Sequence, residues 1–335
     1  VQPDPYPSHP AAPLVRALAR VARSAAHPSV PGPRTPCPAC AAGSEAGDGV
    51  LADRADGTVV RHGRAVAKAH APGAGGAAHR ARLAVAAHPL LAGVLLPPLP
   101  VTAPEVAGRP VSAWPYGTPV DPADPDAAPW EAAAALLAGL HRTPTAALPR
   151  PLPPMRGPAK AALAVARMRA AGPHPAAAPV EAAWRPLPPW ARGEAPAPGE
   201  ALLCHGDLHL GQLVRHPAPD GPWLLIDVDD LGTGDPAWDL ARPAAWFAAG
   251  LLAPGVWERF LAAYRAAGGP AVPAHGDPWP RLDVPARALT VQTAAVAIAK
   301  STSEERELDE VEAEMVAACA RIAALPAPSA PPPVG

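Results

Sequence analysis

The clearest periodic stretch runs from Val50 to Ala69, VLADRADGTVVRHGRAVAKA, where apolar and polar positions alternate in three short runs broken at Asp56-Gly57 and His62-Gly63. Alternation with period two turns one face of each run toward a core, and Asp-Gly between such runs is a strong hairpin signal. Three antiparallel strands are therefore predicted, then a helix over roughly Ala77 to Ala87 and short strands near Val94 to Leu96 and Val111 to Trp114. Beyond Pro129 the spacing becomes helical. Leu136, Leu137 and Leu140 fall on one face of a helix predicted over Trp130 to Arg142, and two more patterns follow, around Ala159 to Ala171 and Pro179 to Trp184. The later helices, at 238–250, 254–267, 285–301 and 303–324, are bounded by Pro, Gly or Ser stop signals.

Two apolar runs, Leu202 to Cys204 and Trp223 to Ile226, are too short for helices and read as strands. Pro217, Pro219, Asp220, Gly221 and Pro222 supply turn chemistry between them, so the two runs are expected to lie side by side as a hairpin. That pairing gathers Asp207, Gln212 and Asp227. One carboxylate beside an acceptor hydroxyl, with hard oxygen ligands for a divalent cation, is what metal-assisted phosphoryl transfer requires.

The string His205-Gly206-Asp207, with Gln212 five residues after the Asp and then Ile226-Asp227, resembles a kinase catalytic loop and its metal-binding Asp. Its sequel, Gly234-Asp235-Pro236-Ala237-Trp238-Asp239-Leu240-Ala241, resembles the aminoglycoside phosphotransferase family of protein-kinase-like small-molecule kinases. The wording around Asp207 is also similar to that of maltokinases, which share the Gln. The resemblance implies an α+β, two-lobed protein-kinase-like fold with a small antiparallel β lobe and a larger, mainly helical lobe. It implies ATP and Mg2+ as cofactors and a small-molecule hydroxyl compound as phosphate acceptor, without choosing which compound or deciding ATP against GTP. Asp207 would be the catalytic base, Gln212 and Asp227 the metal ligands, and Asp235 and Asp239 supports of the loop. Gln212 stands where most members carry Asn. On the kinase plan Lys68, on the third strand, takes the phosphate-binding position. Asp56 and Gly57 form the turn that would cover the phosphates through backbone N–H groups, in place of a Gly-rich loop. Trp114 and Tyr116 mark the link that presents backbone to the adenine, or else ordinary packing. The helix after Lys68 lacks the Glu that commonly pairs with that lysine.

The expected organisation is a Pro-rich, partly disordered segment over 1–48, with a short amphipathic helix at 14–25. A nucleotide-binding lobe over 49–116, a catalytic and acceptor-binding lobe over 117–325 and a disordered tail over 326–335 follow. A formal net charge of -2 gives no electrostatic case for nucleic acid or an anionic membrane. No apolar run approaches the roughly 20 residues of a membrane span, so a soluble protein is expected. Four cysteines that suggest no disulfide scaffold make the cytoplasm, where ATP is available, the expected compartment. The 52 prolines weaken propensity arguments, since many must sit in connectors.

Other readings of the same residues stay open. His205, Asp207 and His209 alternate on one side of an extended segment and would suit a zinc hydrolase. The Gln at 212 and the missing Glu fit a catalytically impaired nucleotide or protein binder. Cys37-Pro38-Ala39-Cys40 has the spacing of half a zinc site, but a second Cys pair is missing, so two thiols in a loop is the plainer reading. Asp121, Asp124 and Asp126 could attract a cationic substrate or simply solvate a linker, and the acidic run from Glu304 to Glu314 reads as a solvated helix start.

Overall fold

The structure, a computed structural model, describes residues 11–27, 37, 40, 48–54, 57–199 and 201–328. The chain divides into two compact units, one built from residues 1–120, 149–151 and 213–226, the other from 121–148, 152–212 and 227–335. The disorder expected at 1–48 and 326–335 falls largely on residues outside the described set.

In chain order the strands are β1 (Asp48–Arg54), β2 (Gly57–His62), β3 (Ala65–His70), β4 (Glu105–Val106), β5 (Arg109–Pro115), β6 (Thr118–Pro119), β7 (Leu202–Cys204), β8 (Leu213–Arg215), β9 (Trp223–Leu225) and β10 (Gly232–Gly234). The α-helices are α1 (Ala11–Ala26), α2 (Ala77–Ala86), α3 (Trp130–His141), α4 (Gly157–Ala171), α5 (Ala177–Trp184), α6 (Ala237–Ala248), α7 (Pro254–Ala266), α8 (Trp279–Ser303) and α9 (Glu310–Ala323).

The first unit is organised by an antiparallel sheet in the order β1-β2-β3-β5-β4. The alternation read at Val50 to Ala69 is realised in β2, where Thr58, Val60 and His62 are buried, and in β3, where Ala65, Ala67 and Ala69 are buried. This face is covered by α1, whose Leu18, Ala19, Val21 and Ala22 pack with Val60, Ala67, Ala69 and Val111. Small Ala side chains on β3 let the helix approach closely, and Leu18, fully buried, contributes about 1.5–3 kcal/mol of transfer free energy. Lys68 opposes Val59 and Ser112 in the register and therefore lies on the other face of the sheet. Val94 to Leu96 does not form the expected strand; it contributes only an isolated bridge from Leu95 to Leu225. Gly93 beside it has a φ of 82°, which ends the extended geometry there.

The expected hairpin between Leu202–Cys204 and Trp223–Ile226 does not form. β9 pairs with β8, across the Pro- and Gly-containing turn, while β7 pairs with β10. The turn residues act on the apolar run nearest to them, Leu213 to Arg215, and not on the more distant one. The sequence of β10, Gly-Thr-Gly, carries little strand propensity, since two of its three residues are glycines. Its glycines answer a steric demand, since a Cβ on Gly232 would lie 2.3 Å from the Pro153 carbonyl oxygen. Around that contact the Thr233 N–H donates to Pro153 and the Met155 N–H donates to Thr233.

The second unit is mainly helical, with α8 packed against α4, α6 and α9 and with α3 against α7. α8 begins at Trp279 and not near Pro285, which lies inside it. An internal proline forfeits one backbone hydrogen bond, and the extensive burial along α8 outweighs that loss. The acidic run likewise does not open a helix at Ser303. α9 starts at Glu310 with Asp309 and Glu312 forming a reciprocal capping box, which stops the helix from extending backward. No helix among the described residues is long and apolar enough to cross a membrane.

Candidate active site

The loop that follows β7 is fixed from behind by Asp239, in the first turn of α6. Its carboxylate accepts the His205 N–H at 2.6 Å, the Gly206 N–H at 2.7 Å and the His141 Nε2–H at 2.9 Å. With its Nε2 proton committed to Asp239, His141 accepts at Nδ1 from the Tyr264 hydroxyl at 2.7 Å, and that hydroxyl accepts the Ala271 N–H at 2.9 Å. Every member of this chain is buried, so the loop is set by an enclosed polar network. Gly206 has a φ of 84°, and a Cβ there would lie 2.5 Å from the Asp230 carbonyl oxygen. Any other residue would push the loop off its support.

Asp207, the next residue, is turned outward between two cations. Lys160 Nζ lies 2.7 Å from its Oδ2 and Arg242 Nη2 2.8 Å from its Oδ1. Burial pushes the carboxyl upward, but Lys160 and then Arg242 outweigh burial and hold it down at about 2. Lys160 also reaches Asp230 Oδ2 at 2.7 Å. Asp230 moves the opposite way: burial raises its pKa, and one shared lysine with the Asp207 charge nearby does not compensate. The lysine is placed by packing. Gly157 opens α4 against the Trp238 indole, where a Cβ would lie 2.1 Å from Nε1, and Lys160 follows one turn later. Lys160 and Asp230 were not singled out from the sequence. The available signal was slight: one lysine in an Ala-rich helix, and one Asp three residues after Asp227.

His209 is the common neighbour of the three residues expected to converge. Burial, then Arg242, lowers its pKa to about 4, while the Asp207 and Asp227 carboxylates act in the opposite direction. It is therefore neutral near pH 7 with both carboxylates in its field. The Gly211 N–H points to its Nδ1 at 3.1 Å, and the side-chain amide of buried Gln212 lies 3.1 Å from its Nε2. A neutral imidazole accepts at only one nitrogen. With Nδ1 accepting the Gly211 N–H, the ring proton sits on Nε2, which places the Gln212 amide oxygen, Oε1, on the side of the ring as its acceptor. Asp227 adopts a left-handed backbone, φ 62° and ψ 74°, an uncommon geometry for a residue with a side chain. His205, Asp207 and His209 do not form a shared ligand set among the described residues: Asp207 is bound by cations and His209 by Gly211 and Gln212.

The recess beside Asp207 is lined by Gly206, Leu208, Trp238, Arg242, Leu289 and Gln292. Gln292 brings a buried amide oxygen that has no hydrogen-bond partner in the protein.

The remaining candidates lie in the first unit. Gly57 begins β2, and a Cβ built on it would meet Lys68 Cε at 3.6 Å, so the lysine side chain runs along the end of the β1–β2 hairpin. Asp56 lies outside the described residues. Trp114 donates its indole N–H to Ser112 Oγ at 2.9 Å. The ring of Tyr116 is covered by the Arg61 guanidinium, 3.4 Å from the ring centroid, its N–H bonds Arg64 and its carbonyl meets His216 Nδ1. Asp121 and Asp124 cap local turns at Ala123 and Ala127.

The family model described as the phosphotransferase enzyme family, APH, matches residues 51–282. No curated protein sequence matches the chain. Among solved structures, a choline/ethanolamine kinase family protein from Mesorhizobium loti is 18% identical, with a TM-score of 0.54 over 93% of this chain and 95% of that one. Spectinomycin phosphotransferase APH(9)-Ia, solved with ADP and spectinomycin, is 12% identical with a TM-score of 0.52 over 82% and 92% of the two chains. The amicoumacin kinase hAmiN, solved with AMP-PNP and Ca2+, is 15% identical with a TM-score of 0.53 over 83% and 88%. These likenesses agree on an α+β, protein-kinase-like fold. With a family match that includes β2, Lys68, the Asp207 loop, Asp227 and Asp239, the chain belongs to the phosphotransferase enzyme family.

Proposed function

We propose that this phosphotransferase is an ATP-dependent kinase that moves the γ-phosphoryl group to a hydroxyl of a small molecule, with Asp207 as the group that receives and orients that hydroxyl. The observation that carries this reading is the state of Asp207: ionised, gripped by two cations, and mounted on a loop whose backbone is held by Asp239. Each carboxylate oxygen has two lone-pair directions, so the bonds to Lys160 and Arg242 leave acceptor capacity for a hydroxyl. A carboxylate held near a pKa of about 2 is a poor base in the ground state. It suits a loose phosphoryl transfer, in which the hydroxyl proton departs late and positioning dominates the rate.

Mg2+ fits the donor set. The Asp227 carboxylate and the Gln212 amide are hard oxygen donors that both neighbour His209, the first acting on its ring through charge and the second touching it. A bound cation would neutralise phosphate charge there, and Gln212 Oε1, facing His209, keeps a second lone pair for it. Lys68, beside the Gly57 turn, is the residue we assign to the nucleotide phosphates. The unpartnered amide of Gln292 offers the acceptor a hydrogen bond in the recess that Trp238 and Arg242 also line. The bound ADP and AMP-PNP of the kinases with this fold support a nucleotide donor.

The test is a screen of purified protein for ATP consumption against a broad panel of hydroxyl compounds, with the Asp207→Asn variant as blank and the mass of the acceptor as readout. A gain of one phosphate on at least one compound, absent with the variant, is expected. Equal consumption by both proteins for every compound would overturn the assignment.

A further inference from the structure

His27, Cys37, Cys40 and His62 bring one ligand atom each to within 4.8 Å of one another, all inside the first unit. Cys40 Sγ lies 3.3 Å from His27 Nε2 and 3.3 Å from His62 Nε2, and Cys37 Sγ lies 4.0 Å from His62 Nε2. The same nitrogen, Nε2, faces the sulfurs in both rings, and the rings meet edge to face, 5.6 Å apart at 71°.

We propose that these four side chains form a tetrahedral Cys2His2 zinc site, distinct from the phosphoryl-transfer centre. Zinc–sulfur bonds of roughly 2.3 Å and zinc–nitrogen bonds of roughly 2.0–2.1 Å, set at tetrahedral angles, place sulfur and nitrogen about 3.5 Å apart. The observed 3.3, 3.3 and 4.0 Å separations bracket that edge. Hydrogen bonding alone explains the cluster less well. In a hydrogen-bonded cluster Cys40 would donate its one proton to one imidazole and accept from the other only as a weak sulfur acceptor, although the two nitrogens lie at equal distance.

The fold explains why these residues meet. His62 ends β2 on the face that α1 covers, with a fully buried side chain. His27 follows the last turn of α1, its N–H still bonded to the Arg23 carbonyl. The helix lies across the sheet, so its end arrives beside the end of β2. The Cys-x-x-Cys pair supplies the two thiolates expected of one knuckle. A cation there would tie α1, the Cys37–Cys40 segment and β2 together, and metal affinity would add to the stability of the first unit. Binding replaces two thiol protons, which leave to solvent.

The test uses the full chain, free of any purification tag, grown with zinc and gel-filtered under reducing conditions. Elemental analysis should give one zinc per chain. Exchange with Co2+ should give intense visible bands of a tetrahedral ion and a thiolate-to-metal charge-transfer band. Cys40→Ser should weaken zinc by more than the ~100-fold that an outer-shell partner costs. His62→Cys keeps four ligands, so it should retain stoichiometric metal and strengthen the charge-transfer band, which keeps the proposal testable if Cys40→Ser does not fold. Wild-type chain without zinc, octahedral cobalt spectra, or equal zinc in wild type and a Cys37→Ser/Cys40→Ser double variant would each overturn the site. These outcomes are read without reference to ATP turnover.

Discussion

In the second unit the candidate chemistry is embedded in the support of the fold, whereas in the first unit it lies along a strand that would form without it. Asp239 holds the loop of Asp207 and also closes a buried network that reaches Tyr264 through His141. Lys68 belongs to β3, whose register is set by Val60, Ala67 and Ala69 packing under α1 on the opposite face. A site built into a buried polar network cannot be altered without loss of stability. A site on the far face of a packed sheet can.

The strongest way to break this contrast is Asp239→Ala. It strips the acceptor from two backbone N–H groups and from a fully buried histidine, and should cost about 3–5 kcal/mol in chemical denaturation along with most activity. Lys68→Met should leave the denaturation midpoint nearly unmoved. It should instead weaken productive nucleotide binding by about 10- to 150-fold, the loss expected for a charged hydrogen bond of about 1.5–3 kcal/mol. Equal destabilisation by the two substitutions would erase the distinction.

Lys160→Met sharpens it through pH. Asp207 has a depressed pKa, so its stabilising contribution is present above the unfolded value and is lost as pH falls toward about 2. Asp230 has a raised pKa and contributes in the opposite sense, favouring folding while protonated and losing that contribution as pH rises through its folded value. Removing the shared lysine should raise both, so the acid limb of the activity profile should move to higher pH in the variant. An unmoved limb would mean that Lys160 does not hold Asp207 ionised. The smallest effect is expected for Gln292→Leu, a rise of about 2- to 10-fold in acceptor KM with nucleotide KM unchanged, from one neutral hydrogen bond.

What was legible in the sequence follows the range of the forces involved. The β1–β3 meander could be read because alternation and turn residues are local, and the string from His205 to Asp239 because a tight loop needs particular side chains at fixed offsets. Partners that arrive from elsewhere could not. Lys160 reaches Asp207 only because Gly157 seats α4 on Trp238, and β10 pairs with β7 for steric reasons invisible in Gly-Thr-Gly. The two histidines that stand beside the Cys37–Cys40 pair, one following a helix and one ending a strand, are likewise remote from it in sequence.

In the proposed reaction Asp207 acts on the acceptor and not on the nucleotide. Calorimetric nucleotide affinity and phosphate transfer to an acceptor found in the screen, measured side by side for wild type and Asp207→Asn, test it most directly. Equal affinity is expected, with transfer reduced by about 10^2- to 10^4-fold. Transfer at the wild-type rate, or a loss of nucleotide affinity that alone explains a slower rate, would contradict it.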